Sequence, residues 1–111
     1  MPYIEISTNA AGIAPERIEK RMGRAIELLP GKTERWLMVR VNEGQRMAFA
    51  GTAEPCALVT VSLFGKSSAE AYSAVTAEVT KIVSDETGIP ADRIYVRYGE
   101  IATWGWNGSN F

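Results

Sequence analysis

Hydrophobic and polar residues alternate along the chain with two different periods, and these periods predict two kinds of element. Four segments are rich in alternating or β-branched apolar residues and predict strands: residues 2–7, 35–42, 56–64 and 93–98. Two segments repeat apolar residues every three or four positions and predict amphipathic helices: residues 15–29 and 68–86. The elements therefore follow the order strand, helix, strand, strand, helix, strand.

One pattern occurs twice in the chain, at a constant offset of 57 positions. This offset relates the apolar stripes of the two predicted helices: Ile18, Met22, Ala25 and Ile26 correspond to Val75, Val79, Ile82 and Val83. Three further features correspond at the same offset: Gly31 with Gly88, Val39-Arg40 with Val96-Arg97, and residues 47–51 with 104–108. The agreement predicts an internal repeat of two β-α-β units, about residues 2–51 and 59–108.

A repeated β-α-β unit sets its two strands parallel and joins them by a right-handed crossover. Two such units can share a four-stranded mixed sheet with both helices on one face, an α/β (α+β) fold, and 111 residues suit one domain over 1–111. The predicted strands 35–42 and 56–64 have apolar residues on both sides, so we expect the second face of the sheet to be covered too. Because the sequence offers no further helix, we predict that another copy of the chain covers it.

Composition excludes several classes of function. The net charge of −1 arises from 12 basic and 13 acidic residues, so nothing favours binding to nucleic acid or to an anionic membrane. No segment approaches the ~20 apolar residues of a membrane span, and the start of the chain lacks the pattern of a signal peptide. We therefore expect a cytoplasmic protein, or one that is secreted without a signal peptide.

Histidine is absent and Cys56 is the single cysteine, which limits the chemistry available to the chain. The usual general base and the commonest metal ligand are therefore missing, and no internal disulfide can form. Acid–base chemistry near neutral pH must come from a perturbed carboxylate, lysine or cysteine, or from the α-amine of the chain. We expect neither a metal nor a cofactor.

Five passages, in order along the chain, match one known family: Pro2-Tyr3-Ile4, Met47-Ala48-Phe49-Ala50-Gly51, Glu54-Pro55-Cys56-Ala57-Leu58, Asp92-Arg93-Ile94-Tyr95-Val96 and the tail from Gly105 to Phe111. Through them the chain resembles, from end to end, the macrophage migration inhibitory factor family of the tautomerase superfamily. The resemblance implies a homotrimer with sites between subunits. It also implies cofactor-free keto–enol tautomerisation of phenylpyruvate-like 2-oxo acids or of dopachrome-like compounds.

The resemblance implies that Pro2 is the general base. A proline at the N-terminus carries a secondary amine once Met1 is removed, and burial with nearby cations would lower the pKa of that amine toward neutrality. Lys32, in the Gly-Lys turn after the first helix, is expected to hold the substrate carboxylate, and Tyr95 of a neighbouring subunit is expected to donate a hydrogen bond. Without the resemblance Pro2 would be interpreted as a strand proline and Lys32 as a solvated lysine, whereas a core role and a site role would be about equally favoured for Tyr95.

The resemblance also implies an aromatic pocket lined by Phe64, Trp106 and Phe111, with Trp36 at its rim. An apolar wall excludes water, accepts a phenyl ring and disfavours an ammonium ion. The backbone N–H of Phe64 is expected to bind a substrate oxygen. Packing in the core or at an interface is the alternative for each aromatic residue, and for Trp36 the sequence does not separate the two interpretations.

Arg97 departs from the family pattern, which usually has a neutral residue, often asparagine, at this position. Three roles are open to its guanidinium: pairing with a substrate carboxylate, lowering the pKa of Pro2 further, or pairing with a glutamate such as Glu100. We predict that Arg97 shifts substrate preference toward acids.

Two other functions stay open at this stage. Other branches of the superfamily decarboxylate or dehalogenate small acids with the same N-terminal proline, and Arg97 and Arg40 favour such a lyase, although no acidic residue that would activate water is identified. A binding or signalling protein with a vestigial pocket is the second alternative. The vertebrate cytokine members contact a chemokine-type receptor through an arginine and an aspartate, and Gly12 and Gly44 at the matching positions disfavour that contact.

Overall fold

Four strands form one mixed sheet: β1 (Pro2–Thr8), β2 (Met38–Asn42), β3 (Ala57–Phe64) and β4 (Ile94–Ile101). In this computed structural model, which describes all 111 residues, the strand order is β2-β1-β3-β4. Strand β1 is parallel to β2 and antiparallel to β3, and β3 is parallel to β4. Two helices pack on one face of the sheet, α1 (Pro15–Ala25) and α2 (Ala69–Thr87). The predicted α/β (α+β) fold is confirmed.

The core lies between the helices and the sheet. Every residue of the two predicted helical stripes is buried, including Ile18 and Met22 of α1 and Val79 and Ile82 of α2. They pack against alternate residues of the two central strands: Ile4, Ile6, Val59, Val61 and Leu63. Each large apolar side chain contributes roughly 1.5–3 kcal/mol when it is fully removed from water. The stripes therefore attach both helices to the same face of the sheet.

The same tight turn occurs 57 positions apart in the two halves of the chain. The pair Ala50-Gly51 has positive φ angles of 53° and 77°. The pair Asn107-Gly108 has φ angles of 53° and 82° and joins two short antiparallel strands, β5 (Gly105–Trp106) and β6 (Ser109–Asn110). Two consecutive positive φ angles characterise a type I′ turn, for which Asn-Gly is a preferred sequence.

The first helix is shorter than predicted. Residues 15–29 were expected to be one helix, but α1 ends at Ala25 and a 3-10 turn follows over Ile26–Leu28. Proline disfavours the helical conformation of the residue before it. Leu29, which precedes Pro30, is accordingly extended, with φ −86° and ψ 116°. Neither helix combines the length and the apolar character that crossing a membrane would require.

The predicted strand 35–42 begins later than its apolar residues indicated. Strand β2 starts at Met38 because its partner β1 starts at Pro2, and Tyr3 is the first residue with a partner in β2. Residues Glu34–Trp36 have no strand beside them and form a 3-10 turn. Pairing with another strand, which local sequence does not encode, therefore sets this boundary.

The sheet face opposite the helices is open in the single chain and is more polar than predicted. Charged and hydroxyl side chains cross it in one row over neighbouring strands: Arg40, Glu5, Thr60 and Arg97. The expectation of apolar residues on both sides of residues 35–42 and 56–64 is wrong for this row. Exposed apolar and aromatic groups do occur on the same face at Met38 and Tyr95, which are 67% and 63% exposed.

Candidate active site

The N-terminus lies at the start of an inner strand. Pro2 is buried and pairs with Leu63 of the antiparallel strand β3. The backbone N–H of Phe64 donates a hydrogen bond to the carbonyl oxygen of Met1 at 3.1 Å. Removal of Met1 would therefore leave the amine of Pro2 fixed by its strand and would free the N–H of Phe64 beside it.

Two hollows open beside the N-terminus. The larger has a volume of about 670 Å³, and its lining includes Pro2, Arg35, Trp36, Met38, Trp104 and Trp106. The smaller has a volume of about 330 Å³ and is lined by Met1, Gly31, Trp36, Phe64 and Phe111. Met1 and Trp36 line both hollows and so separate them. Neither lining contains an aspartate or a glutamate.

The structure brings the four predicted pocket aromatics together around these hollows. The rings of Trp36 and Trp106 meet edge to face with centroids 5.1 Å apart, and those of Phe64 and Phe111 are 5.6 Å apart. The backbone N–H of Phe111 donates to the carbonyl of Trp104 at 2.9 Å, which holds the C-terminal residue in this wall. Such a wall can take an aromatic ring and exclude water from the N-terminus.

Lys32 supplies positive charge at the N-terminus. The positive φ of Gly31 turns the chain after the first helix, and the ammonium of Lys32 donates to the carbonyl of Phe64 at 3.1 Å. Burial lowers the pKa of the Met1 amine below its usual value, and the charge and the hydrogen bond of Lys32 lower it further. Both causes disfavour the ammonium form. An amine at this end of β1 is therefore a stronger candidate for a neutral base than an ordinary N-terminus.

Tyr95 and Arg97 do not lie with Pro2 in a single chain. Tyr95 pairs with Leu58, five positions along β3 from the partner of Pro2 and hence roughly 17 Å away at ~3.3 Å per residue. Arg97 pairs with Thr60, three positions and roughly 10 Å from the same point. One chain therefore brings together Pro2, Lys32 and the aromatic wall, while Tyr95 and Arg97 face solvent elsewhere on the sheet.

Tyr95 is exposed but held in place. Its ring meets that of Phe49 edge to face, with centroids 4.9 Å apart, and the guanidinium of Arg93 lies 5.2 Å from the centroid of Phe49. Arg93 also donates to the carbonyls of Pro55 and Glu54, both at 2.9 Å. The loop that carries Phe49 is thus fastened to the start of β4, and Tyr95 projects from a supported position.

Arg97 is bound to its own sheet rather than to an acid. Its Nε donates to the hydroxyl of Thr60 at 3.0 Å. The expected alternative partner, Glu100, accepts a hydrogen bond from the hydroxyl of Tyr72 at 2.6 Å. No ion pair joins Arg97 to Glu100, so its charge remains available on the open face of the sheet.

Arg35, Met38 and Trp104 line the larger hollow, and the sequence did not single them out for the site. Trp104 belongs to the repeated tail segment that also contains Trp106. Met38 lies two positions after Trp36. The position of each residue relative to a predicted pocket residue could therefore have indicated it. No local pattern indicates Arg35, because its place depends on where the 3-10 turn over Glu34–Trp36 presents its side chain.

The remaining candidate ligands for metal or redox chemistry are scattered. No three side chains among the cysteine, aspartates and glutamates come together in a group that could hold a metal ion. Cys56 is a free, buried thiol, and its backbone is fixed by hydrogen bonds to Asn9 and Thr8 at 2.9 and 2.8 Å. It therefore packs as a small apolar residue.

Comparison with known sequences identifies relatives along the whole chain. The family described as macrophage migration inhibitory factor matches residues 1–111. The chain is 31% identical over 114 residues to macrophage migration inhibitory factor of Rattus norvegicus, covering 100% of this chain and 99% of the relative. It is 29% identical to a macrophage migration inhibitory factor homolog of Brugia malayi, with the same coverage.

Solved structures that are similar to this chain belong to the same family as the relatives found by sequence. The crystal structure of Leishmania major MIF2 is similar with a TM-score of 0.92 and 27% identity, covering 100% of this chain and 97% of the other. A macrophage migration inhibitory factor homologue from Prochlorococcus marinus is similar with a TM-score of 0.90 and 32% identity, covering 98% of each chain. Both similarities therefore cover at least 98% of this chain.

Proposed function

Because the chain belongs to the macrophage migration inhibitory factor family, we propose that it is a cofactor-free keto–enol tautomerase whose general base is the amine of Pro2. The substrates are phenylpyruvate-like 2-oxo acids or dopachrome-like compounds. One observation carries the proposal: the N-terminus, where Pro2 is buried and Met1 is partly buried, lies between two largely apolar hollows beside Lys32, and the pKa of the Met1 amine is lowered there. Loss of Met1 would place a free amine on Pro2, one residue further along β1 and beside the larger hollow.

The reaction needs one base that removes a proton and returns it. In the keto-to-enol direction the neutral amine of Pro2 removes the proton from the carbon next to the carbonyl, and the resulting ammonium returns that proton to the carbonyl oxygen, which forms the enol and leaves the amine neutral again. In the reverse direction the ammonium of Pro2 protonates that carbon. Nothing is oxidised or reduced overall, and the amine is regenerated in each cycle. A base with a pKa close to the working pH serves both directions.

Lys32 and Phe64 are proposed to hold the acidic end of the substrate. The ammonium of Lys32 already donates to the carbonyl of Phe64, so it lies close to the hollow that both Phe64 and Met1 line. The N–H of Phe64, which donates to the Met1 carbonyl in the unprocessed chain, would donate to a substrate oxygen instead. The carbonyl of Met1 therefore stands where a substrate oxygen would bind.

The aromatic wall is proposed to take the ring of the substrate. Trp36 and Trp106 border the larger hollow next to Pro2, and their edge-to-face contact leaves an apolar surface of the right chemistry for a phenyl or indole ring. A ring bound there would exclude water from the amine, which keeps the pKa of the amine low while the proton is transferred.

We propose that the working protein is a homotrimer whose sites lie between subunits. Tyr95 and Arg97 are too far from Pro2 of their own chain to act there, as their pairing with β3 implies. Both project from the open face of the sheet, and Tyr95 is well exposed. A neighbouring copy that covers this face would receive Tyr95 as a hydrogen-bond donor to the carbonyl or enolate oxygen.

The proposed activity is tested by measuring the interconversion of phenylpyruvate enol and keto forms by protein whose intact mass shows that Met1 is absent. Turnover supports the tautomerase. Turnover of a 3-halo or 3-oxo acid with none of phenylpyruvate would favour a lyase instead. Tight binding to a partner protein that survives Pro2→Gly, with negligible turnover, would favour a binding role.

Mixed trimers test whether sites are shared between subunits. Tyr95→Phe should lower kcat/KM about tenfold, the worth of one hydrogen bond, and Pro2→Gly should lower it further. When the two variants are refolded together in equal amounts, about a quarter of the sites in a closed ring should regain both native residues. Activity should then exceed that of either variant alone. No gain on mixing would show that Pro2 of one subunit and Tyr95 of another do not act in one shared site.

Arg97→Asn tests the role of the unusual arginine. If Arg97 of a neighbouring subunit pairs with the substrate, the substitution should raise KM several-fold for a 2-oxo acid and should leave KM for the methyl ester of that acid nearly unchanged. The comparison isolates the charged pair because acid and ester share the same ring and carbonyl. Equal KM changes for acid and ester, or no change in either, would contradict the pairing.

A further inference from the structure

Arg35 is a second cation near the N-terminus, besides Lys32, and it lines the larger hollow. Arg35 borders it together with Pro2, and the hollow contains no acidic side chain. The guanidinium of Arg35 forms no ion pair and donates no hydrogen bond to a neighbouring carboxylate, unlike that of Arg17 or Arg21, which pair with Glu86. A charge without a partner beside a cavity of about 670 Å³ is available to a ligand in that cavity.

The surroundings of Arg35 hold it on the aromatic wall. Its guanidinium carbon lies 5.0 Å from the centroid of Trp36, a cation–π contact. The preceding carboxylate, Glu34, turns the other way and lies against Gly23 of α1, in the space that a larger side chain at position 23 would need. Glu34 therefore does not neutralise Arg35, and the indole limits the directions in which the guanidinium can point.

We propose that Arg35 determines substrate specificity by binding a second anionic group, so that the favoured substrates are aromatic 2-oxo acids that carry another carboxylate on the far side of the ring. This inference rests on the proposed function and deepens it. The ammonium of Lys32 donates to the carbonyl of Phe64, which lines the smaller hollow, whereas Arg35 lines the larger one. Trp36 lines both hollows. A ring stacked in the aromatic wall would have one cation near each end.

The chemistry of the Arg35 guanidinium suits the binding of a second carboxylate. The planar guanidinium presents two parallel N–H donors that match the two oxygens of a carboxylate. The contact with Trp36 uses the face of the indole and not the N–H donors of Arg35, so these donors remain free for a ligand in the hollow that Arg35 lines. A neutral ring substituent would leave the charge of Arg35 unpaired, so the site should distinguish a carboxylate from its methyl ester.

Binding can be tested without any turnover, because all three tryptophans of the chain line the larger hollow and intrinsic fluorescence reports on it. The probes are 1,4-phenylenediacetate and its monomethyl ester, titrated into protein lacking Met1. The diacid should bind about tenfold more tightly than the ester, as expected of a charge-assisted contact. Arg35→Gln should reduce that preference to about twofold or less. Arg24→Gln, an exposed arginine of α1 without an ion pair, is the matched control and should retain it.

Three results would overturn the inference: equal binding of the two probes to the native protein, an undiminished preference in Arg35→Gln, or the same loss in Arg24→Gln. Turnover provides a separate readout. The ratio of kcat/KM for 4-carboxyphenylpyruvate to that for phenylpyruvate should fall about tenfold in Arg35→Gln. If no substrate is turned over but the probe preference behaves as expected, the proposed tautomerase fails and the anion site stands. If phenylpyruvate is turned over but the preference is missing, only the anion site fails.

Discussion

Replacing Pro2 by glycine in protein that has lost Met1 should lower kcat for phenylpyruvate about 100-fold, the lower end of what a positioned base contributes. Glycine retains a terminal amine, so the loss measures the geometry and basicity of the secondary amine rather than the mere presence of nitrogen. Pro2 is buried and paired with Leu63, which fixes the direction of its amine. Glycine in this position would have more backbone freedom and would hold a primary amine less firmly.

Protein that keeps Met1 is the stricter comparison and should be nearly inactive, for two structural reasons. The nitrogen of Pro2 is then part of an amide and cannot accept a proton near neutral pH. The carbonyl of Met1 also occupies the N–H of Phe64 at 3.1 Å, the donor that the substrate would use. Intact mass establishes which form is present, and thermal unfolding shows whether the fold is unchanged. Equal activity of the two forms would rule out Pro2 as the base.

Replacing Lys32 by glutamine should raise KM for a 2-oxo acid about 10- to 100-fold, because the substrate loses a charge-assisted hydrogen bond. It should also change the pH dependence. In the chain that keeps Met1, burial lowers the pKa of the Met1 amine, and the charge and the hydrogen bond of Lys32 lower it further; we expect Lys32 to act in the same direction on the amine of Pro2. Without Lys32 the pKa of the amine rises, so less of it is neutral at a given pH and the acidic limb of kcat/KM moves to higher pH.

The direction in which the acidic limb of kcat/KM moves in Lys32→Gln shows whether Lys32 acts in the site or only supports the fold. Lys20→Gln, at an exposed lysine of α1 without an ion pair, removes the same charge away from the hollows and should leave both KM and the acidic limb unchanged. A displaced acidic limb with an unchanged KM would mean that Lys32 tunes the base but does not bind substrate. An acidic limb that stays in place, or moves to lower pH, would contradict the electrostatic link between Lys32 and the N-terminus.

The sequence by itself determined the elements and the way they pack. The stripes that include Ile18 and Val79 predicted which helix faces would be buried, because a helix buries residues according to a period that is written locally. The offset of 57 positions predicted two β-α-β units, and the absence of histidine directed attention to the N-terminal amine. Family motifs then indicated Lys32 and the aromatic wall, which the structure brings together.

Only the tertiary structure decided where those elements end and which side chains share a space. Residues Glu34–Trp36 turn as a 3-10 helix because no residue of β1 lies beside them, and that turn brings Arg35 to the larger hollow. The register of β3 with β1 and β4 separates Tyr95 and Arg97 from Pro2 by several residues along the sheet. Local periods follow from the geometry of one segment, whereas register depends on contacts between segments far apart in the chain, so it becomes visible only once the chain has folded.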